Sequence, residues 1–183
     1  MNILQTQIPG LVVVETIQHI DSRGAFSRLY CERELSGIIG LRQIVQVNYS
    51  RTGEVGAVRG LHFQYAPRAE MKLIRCLKGR VWDVAVDLRE KSSTFLKWHA
   101  EELSPANARM MAIPEGFAHG FQVLEPESEL LYLHTEFYEP KFEDGLRYND
   151  PQLAIIWPCP ISEISERDAK FQLIDSNFQG IKL

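Results

Sequence analysis

Polar side chains of chemically useful types interrupt several strand-like runs of this sequence. Gln46 and Asn48 share one face of a run in which Val45 and Val47 take the other. His62 and Gln64 share a face of Arg59-Gly-Leu-His-Phe-Gln64, where Gly60 permits close backbone approach. Lys72 stands between Met71 and Leu73, in phase with Ile74 and Cys76, and Tyr132 and His134 point the same way from the following apolar run. Amide, imidazole, ammonium and phenol groups on neighbouring strands make a polar site at the mouth or lumen of a barrel, provided that they converge. Taken singly they are ordinary. A lone His or Tyr on a strand is usually a satisfied core or rim residue, and a lone Lys sends its ammonium out to water. Alternation by itself leaves convergence open.

The elements that must position these groups are mostly strands. In Val81–Leu88 the even positions are all apolar and the odd face carries Asp83 and Asp87, a period of two. Lys78-Gly79 separates this run from Lys72–Leu77, so the spacing predicts a hairpin. Further strands are expected at Val12–Ile17, Gln43–Tyr49, Arg109–Ile113 and Leu130–Tyr138, and helix only at Glu32–Ser36 and after Ser165. Many short strands with Gly and Pro turns predict an all-β fold, a double-sheet jelly roll with short helices near the two termini.

A Pro and a Gly in Pro114-Glu-Gly-Phe-Ala-His-Gly-Phe121 form a tight turn that delivers His119 onto a following strand. The segment resembles the second half-motif of the cupins, small barrels that often hold a metal through histidines. The first half-motif normally supplies His-x-His and then a Glu. Here it offers His62, with Gln64 where a second His would stand and Lys72 in the next strand. Two histidines and a cation are a poor set for a divalent metal, which takes three or four lone-pair ligands. The pattern supports the barrel and argues against the metal.

Composition bounds the remaining choices. The chain has 183 residues, 45% of them hydrophobic, enough for one domain with a sizeable core over residues 1–183. Net charge is −4 and the basic residues are scattered, which excludes a general nucleic-acid surface but not a diphosphate held by two or three local cations. No stretch is long and apolar enough to span a membrane, and Met1–Gly10 lacks a basic segment followed by an apolar run. With three widely spaced cysteines, which suit reduced thiols better than a disulfide framework, the expected location is the cytoplasm.

Nine segments, in order, carry a resemblance to a known family. They are Asp21-Ser-Arg-Gly-Ala-Phe26, Gln46-Val-Asn-Tyr-Ser50, Arg59–Gln64, Lys72, Gly79–Arg89, Pro114–Phe121, Asn149-Asp-Pro151, Trp157-Pro158 and Ser165-Glu-Arg-Asp168. Together they resemble the dTDP-4-dehydrorhamnose 3,5-epimerases, from about Ile8 to Asp175. The resemblance implies a homodimeric, cupin-like jelly roll that uses no metal and no cofactor and acts on a nucleotide-linked 4-keto sugar. It implies His62 as the base, Asp168 as the carboxylate that supports it, Lys72 as the cation beside the developing oxyanion, and Tyr132 as the acid on the opposite face. Arg59 and His119 match residues near the sugar and diphosphate, with Gln46, Asn48 and Arg167 alongside. Tyr138 matches an aromatic that stacks on the base, Glu143 a residue near it, and Arg23 an arginine lent across the dimer interface. Arg28 departs from the pattern, standing where the family usually has a Glu that helps hold the nucleotide, and Val47 and Tyr49 replace more polar residues. The competing readings are a metal-dependent cupin, which lacks its third ligand, and a non-catalytic sugar-nucleotide binder, which would be expected to have lost the base or the acid.

Overall fold

A computed structural model describes residues 1–183. Thirteen strands and two short helices follow one another along the chain. The first half holds β1 (Asn2–Gln5), β2 (Val12–Glu15), β3 (Gln18–Asp21), β4 (Gly24–Ser27), α1 (Glu32–Ile39), β5 (Gln46–Thr52), β6 (Val58–Gln64), β7 (Lys72–Lys78) and β8 (Val81–Asp87). The second half holds β9 (Trp98–Leu103), β10 (Arg109–Ile113), β11 (Phe117–Val123), β12 (Ser128–His134), β13 (Glu143–Gly145) and α2 (Glu166–Ala169).

Two antiparallel sheets form the body, a six-stranded one in the order β1-β2-β10-β7-β12-β5 and a five-stranded one in the order β13-β6-β11-β8-β9. The hairpin β3–β4 stands apart from both. This is the expected jelly roll, and its core lies where alternate residues of the two sheets meet. Ile74, Cys76, Met111, Ile113 and Leu130 from the larger sheet pack on Val81, Ala85, Phe117, Phe121 and Val123 from the smaller. Each large apolar side chain so enclosed contributes about 1.5–3 kcal/mol.

The outer faces are covered as well. On the larger sheet, Val12, Val14, Leu73, Met110 and Ala112 lie under Leu35 and Ile39 of α1. Those two residues, four apart and both buried, explain why the helix runs past Gly37, where it was expected to stop, to Ile39. On the smaller sheet, Val84, Val86 and Leu88 lie under Leu153, Ile174 and Ile181 from the C-terminal segment. Both faces of β8 are therefore dry. Asp83 and Asp87 point between the sheets at 0% exposure, and Asp87 is satisfied there by Arg89, Ser92 and Thr94.

Two expectations need correction. The runs Lys72–Leu77 and Val81–Leu88 are not a hairpin: β7 and β8 belong to different sheets, and Gly79-Arg80 carries the chain across the sandwich. Each strand instead pairs with partners distant in sequence, β7 with β10 and β12, β8 with β11 and β9. The strand expected to reach Tyr138 ends at His134, because the Gln64 side chain captures the next loop. Its Nε2 donates to Phe137 O at 3.2 Å and its Oε1 accepts from Glu139 N at 2.7 Å.

Candidate active site

A pocket of about 810 Å³ opens between the two sheets at one end of the sandwich. Of the polar residues singled out by alternation, Asn48, His62, Lys72, Tyr132 and His134 line it, while Gln46 and Gln64 do not. The smaller sheet contributes His62 from β6 and His119 from β11, with Asp83 of β8 fully buried behind His119. The larger contributes Asn48 and Ser50 from β5, Lys72 from β7, and Tyr132 and His134 from β12. His134 is the cross-strand neighbour of both Gln46 and Lys72, and Tyr132 of Asn48, so one wall is a continuous polar patch.

On the smaller sheet a close approach of two backbones shapes the wall. At Gly60, φ is +120°, and a Cβ there would lie 2.5 Å from Gly120 Cα. The β6–β11 register shifts at this point, a bulge that turns Arg59 toward the pocket although it is three residues from His62. Arg59 Nε donates to Thr52 Oγ1 at 3.0 Å, across to the other sheet.

The His62 ring is held from behind. Ser165 caps α2 by accepting from Asp168 N at 3.1 Å, and this short helix presents the Asp168 carboxylate to β6. Asp168 Oδ1 lies 2.8 Å from His62 Nε2, and Oδ2 accepts from Gly60 N at 3.1 Å. Burial disfavours ionising this carboxyl, but the hydrogen bonds from His62 and the Gly60 N–H outweigh it and hold Asp168 below the usual carboxylate range. A carboxylate can only accept, so the shared proton sits on Nε2 and the lone pair of His62 is on Nδ1.

A second pair stands beside it. His119 Nε2 lies 2.7 Å from Asp83 Oδ1, whose own acidity burial weakens, and Asp83 Oδ2 has no partner. Each histidine is turned to its own carboxylate. No three His, Cys, Asp or Glu side chains stand together in a geometry that would hold a metal ion.

On the facing wall, Tyr132 OH is 3.0 Å from Ser50 Oγ, and burial pushes its phenol well above the usual tyrosine range. It stays protonated at any ordinary pH, as a proton donor must. Lys72 Nζ lies 3.1 Å from Glu70 Oε1 and 3.4 Å from the His62 carbonyl. At the mouth, Tyr138 OH donates to Glu143 Oε2 at 2.8 Å and Arg167 pairs with Glu143 Oε1 at 2.8 Å.

Of the residues expected from sequence, His62, Lys72, Tyr132, Asp168, Asn48, Arg59, His119, Tyr138, Glu143 and Arg167 all line this pocket. Gln46 stands one step behind it, donating to Asn48 Oδ1 at 3.3 Å and accepting from Tyr138 N at 3.1 Å. Arg23 lies at the tip of β3–β4, paired with Asp21, outside the pocket of its own chain. Arg28 is likewise outside it, bound to Glu34 of α1. Sequence reasoning passed over Glu70 and Asp83 as site residues. The available signals were the phase of Glu70 with Lys72 and the two acids, Asp83 and Asp87, in a run whose other face is apolar.

An all-β double sheet with an open end, two His–Asp pairs on one wall and a half-buried phenol and a buried ammonium on the other, defines a cupin-like protein equipped for proton transfer. The sequence profile of the dTDP-4-dehydrorhamnose 3,5-epimerase family matches residues 5–176, and the chain belongs to that family. It is 39% identical over 180 residues to a dTDP-4-dehydrorhamnose 3,5-epimerase of Shigella flexneri, covering 97% of this chain and 99% of the relative. Among solved structures it is similar to a dTDP-6-deoxy-D-glucose-3,5-epimerase of Legionella pneumophila in complex with dTDP-4-keto-L-rhamnose. That likeness has a TM-score of 0.91 at 39% identity and covers 98% of this chain and 97% of that one. It is also similar to a 3'-monoepimerase of Streptomyces bikiniensis in complex with dTDP-quinovose, at TM-score 0.86 and 28% identity, covering 93% and 86%.

Proposed function

We propose that this chain is an isomerase, a sugar-nucleotide 3,5-epimerase that converts dTDP-4-dehydro-6-deoxy-D-glucose to dTDP-4-dehydro-L-rhamnose through an enolate. The observation that carries the proposal is the opposition of the two walls, with a carboxylate-backed imidazole on one and the Tyr132 phenol on the other. A hydrogen on C3 or C5 flanks the C4 ketone, so its removal leaves an enolate. His62 Nδ1 takes that proton, the C4 oxygen becomes the oxyanion, and the Lys72 ammonium holds it. Tyr132 returns a proton to the carbon from the opposite face, which inverts the centre. Solvent then reprotonates the phenolate and removes the proton from His62, so the step is redox-neutral and regenerates the enzyme.

Arg59, whose only side-chain hydrogen bond is to the neutral Thr52, suits the diphosphate. His119, Asn48 and Arg167 line the sugar and phosphate path, and Tyr138 with Glu143 offers a ring and a carboxylate to the base. We place the 183 residues in one domain that works as a homodimer. The β3–β4 hairpin carries Ile20 and Phe26 at 75% and 72% exposure beside Arg23, an apolar surface that a second copy would cover. No helix is long and apolar enough to cross a membrane, and the three thiols are unpaired, which suits work in the cytoplasm.

Incubation with dTDP-4-dehydro-6-deoxy-D-glucose in deuterated buffer, with NMR reading C3 and C5 separately, tests the reaction. Deuterium at both carbons with formation of the L-rhamno product is the expected result. Exchange at C3 alone would place the chain with the monoepimerase, and no exchange at either carbon would end the proposal.

A further inference from the structure

Behind the reacting groups, the pocket wall holds a buried acid–base pair that the mechanism above does not use. Glu70, just before β7, presents Oε1 to Lys72 Nζ at 3.1 Å and Oε2 to His134 Nδ1 at 2.6 Å. All three side chains are nearly enclosed, at 8–10% exposure. Burial works against ionising Glu70, but Lys72 and His134 outweigh it and hold the carboxyl below its usual range.

The direction of every hydrogen bond in this wall then follows. The carboxylate accepts at both oxygens, so His134 carries its proton on Nδ1 and keeps the lone pair on Nε2. Asn48 Nδ2 stands 3.3 Å from that lone pair and donates to it. Asn48 Oδ1 accepts from Gln46, and Gln46 accepts from the Tyr138 peptide N–H. A one-way chain of donors thus runs from the Tyr138 loop to Glu70, and Lys72 meets it from the other side.

We propose that Glu70 and His134 are positioning residues for Lys72: the carboxylate pins the ammonium at the site of the enolate oxygen, and His134, oriented by Asn48, pins the carboxylate. A lysine stem is flexible and its ammonium otherwise swings to water. Of its three N–H donors, one goes to Glu70 and one to the His62 carbonyl, leaving the third for the oxyanion. A charge fixed before reaction stabilises the oxyanion without reorganising. His134 also lies parallel to Tyr132, with ring centres 6.1 Å apart, so one side chain steadies both the acid and the cation.

This inference rests on the enolate reading above, and the experiment separates the two. Exchange at C3 and C5, kcat, KM and dTDP affinity are measured for the wild type, Glu70→Gln, His134→Leu and His134→Asn. Glu70→Gln keeps the shape and removes the anion, so kcat should fall about ten- to a hundredfold, the scale of one charge-assisted hydrogen bond. KM and dTDP affinity should stay within about twofold, as for a group that acts only in the transition state. His134→Leu should show the same split. His134→Asn, whose amide nitrogen stands where Nδ1 stood, should recover most of the loss, which a merely space-filling histidine would not predict. Wild-type kcat in Glu70→Gln, or a loss confined to KM and dTDP affinity, overturns the assignment. If His134→Leu does not fold, the isosteric Glu70→Gln still decides. A wild type that exchanges at neither carbon sinks the epimerase reading instead.

Discussion

Replacing Asp168 by Asn changes little in shape and, by the geometry of the site, moves one proton. The carboxylate accepts from Gly60 N–H at Oδ2 and from His62 Nε2 at Oδ1. In Asp168→Asn the amide oxygen must stay with the Gly60 N–H, since an NH2 group there would leave two donors facing each other in a buried place. The NH2 group is then presented to His62 Nε2, which has to accept. The imidazole proton shifts to Nδ1, and the lone pair needed to deprotonate the sugar is gone. Loss of a general base costs about 10²–10⁴ in rate, and a wrong-tautomer histidine falls toward the upper end. Asp168→Ala makes the contrast. It frees the histidine to take either tautomer but leaves the Gly60 N–H buried without a partner, which costs about 1–3 kcal/mol of stability. Asp168→Asn should therefore be the more stable of the two and no more active.

The pH dependence of folding has a definite sign. Because the folded-state acidity of Asp168 is strengthened, its contribution is complete above the ordinary carboxylate value of about 4 and is lost as pH falls through the lower folded value. Asp168→Asn should remove that part of the acid sensitivity. The assays are deuterium exchange at C3 and C5, dTDP binding and thermal melts across pH. An Asp168→Asn enzyme that binds dTDP normally and keeps more than about a tenth of wild-type exchange would refute the tautomer argument.

Three further outcomes are expected. His62→Ala should abolish exchange at both carbons while dTDP affinity is largely kept, because one imidazole serves both deprotonations; normal exchange would remove His62 from the role of base. Tyr132→Phe should stop inversion yet retain some deuterium wash-in, since His62 can still form the enolate and return a proton from the same face; equal loss of both would make Tyr132 a binding residue. Gly60→Ala should cost about 2–6 kcal/mol in a denaturant melt, from a positive φ and a Cβ driven into the Gly120 backbone. A melt within about 1 kcal/mol of wild type would show that β6 and β11 can separate there at little cost.

What the sequence determined by itself is the set of side chains that share a strand face. Tyr132 with His134, Gln46 with Asn48, and Lys72 with Ile74 and Cys76 all point inward together, because successive residues of a strand must face opposite ways. Motif order extended this to Asp168, which lies 106 residues from His62 yet bonds to it. Only the tertiary structure decided which face of β8 looks between the two sheets, where Asp83 backs His119. With apolar layers on both sides of the smaller sheet, burial could not tell Asp83 from an outward-facing acid. It alone sent β7 and β8 to different sheets, since a short Lys-Gly link serves a hairpin and a crossover equally well. It also turned Arg59 inward by a bulge that breaks the period of two. The Glu70–His134–Lys72 cluster needed it most, because local periodicity says nothing about which strands become neighbours. That choice belongs to the packing of the whole sandwich, and it brings β12 beside β7 so that one buried carboxylate reaches both.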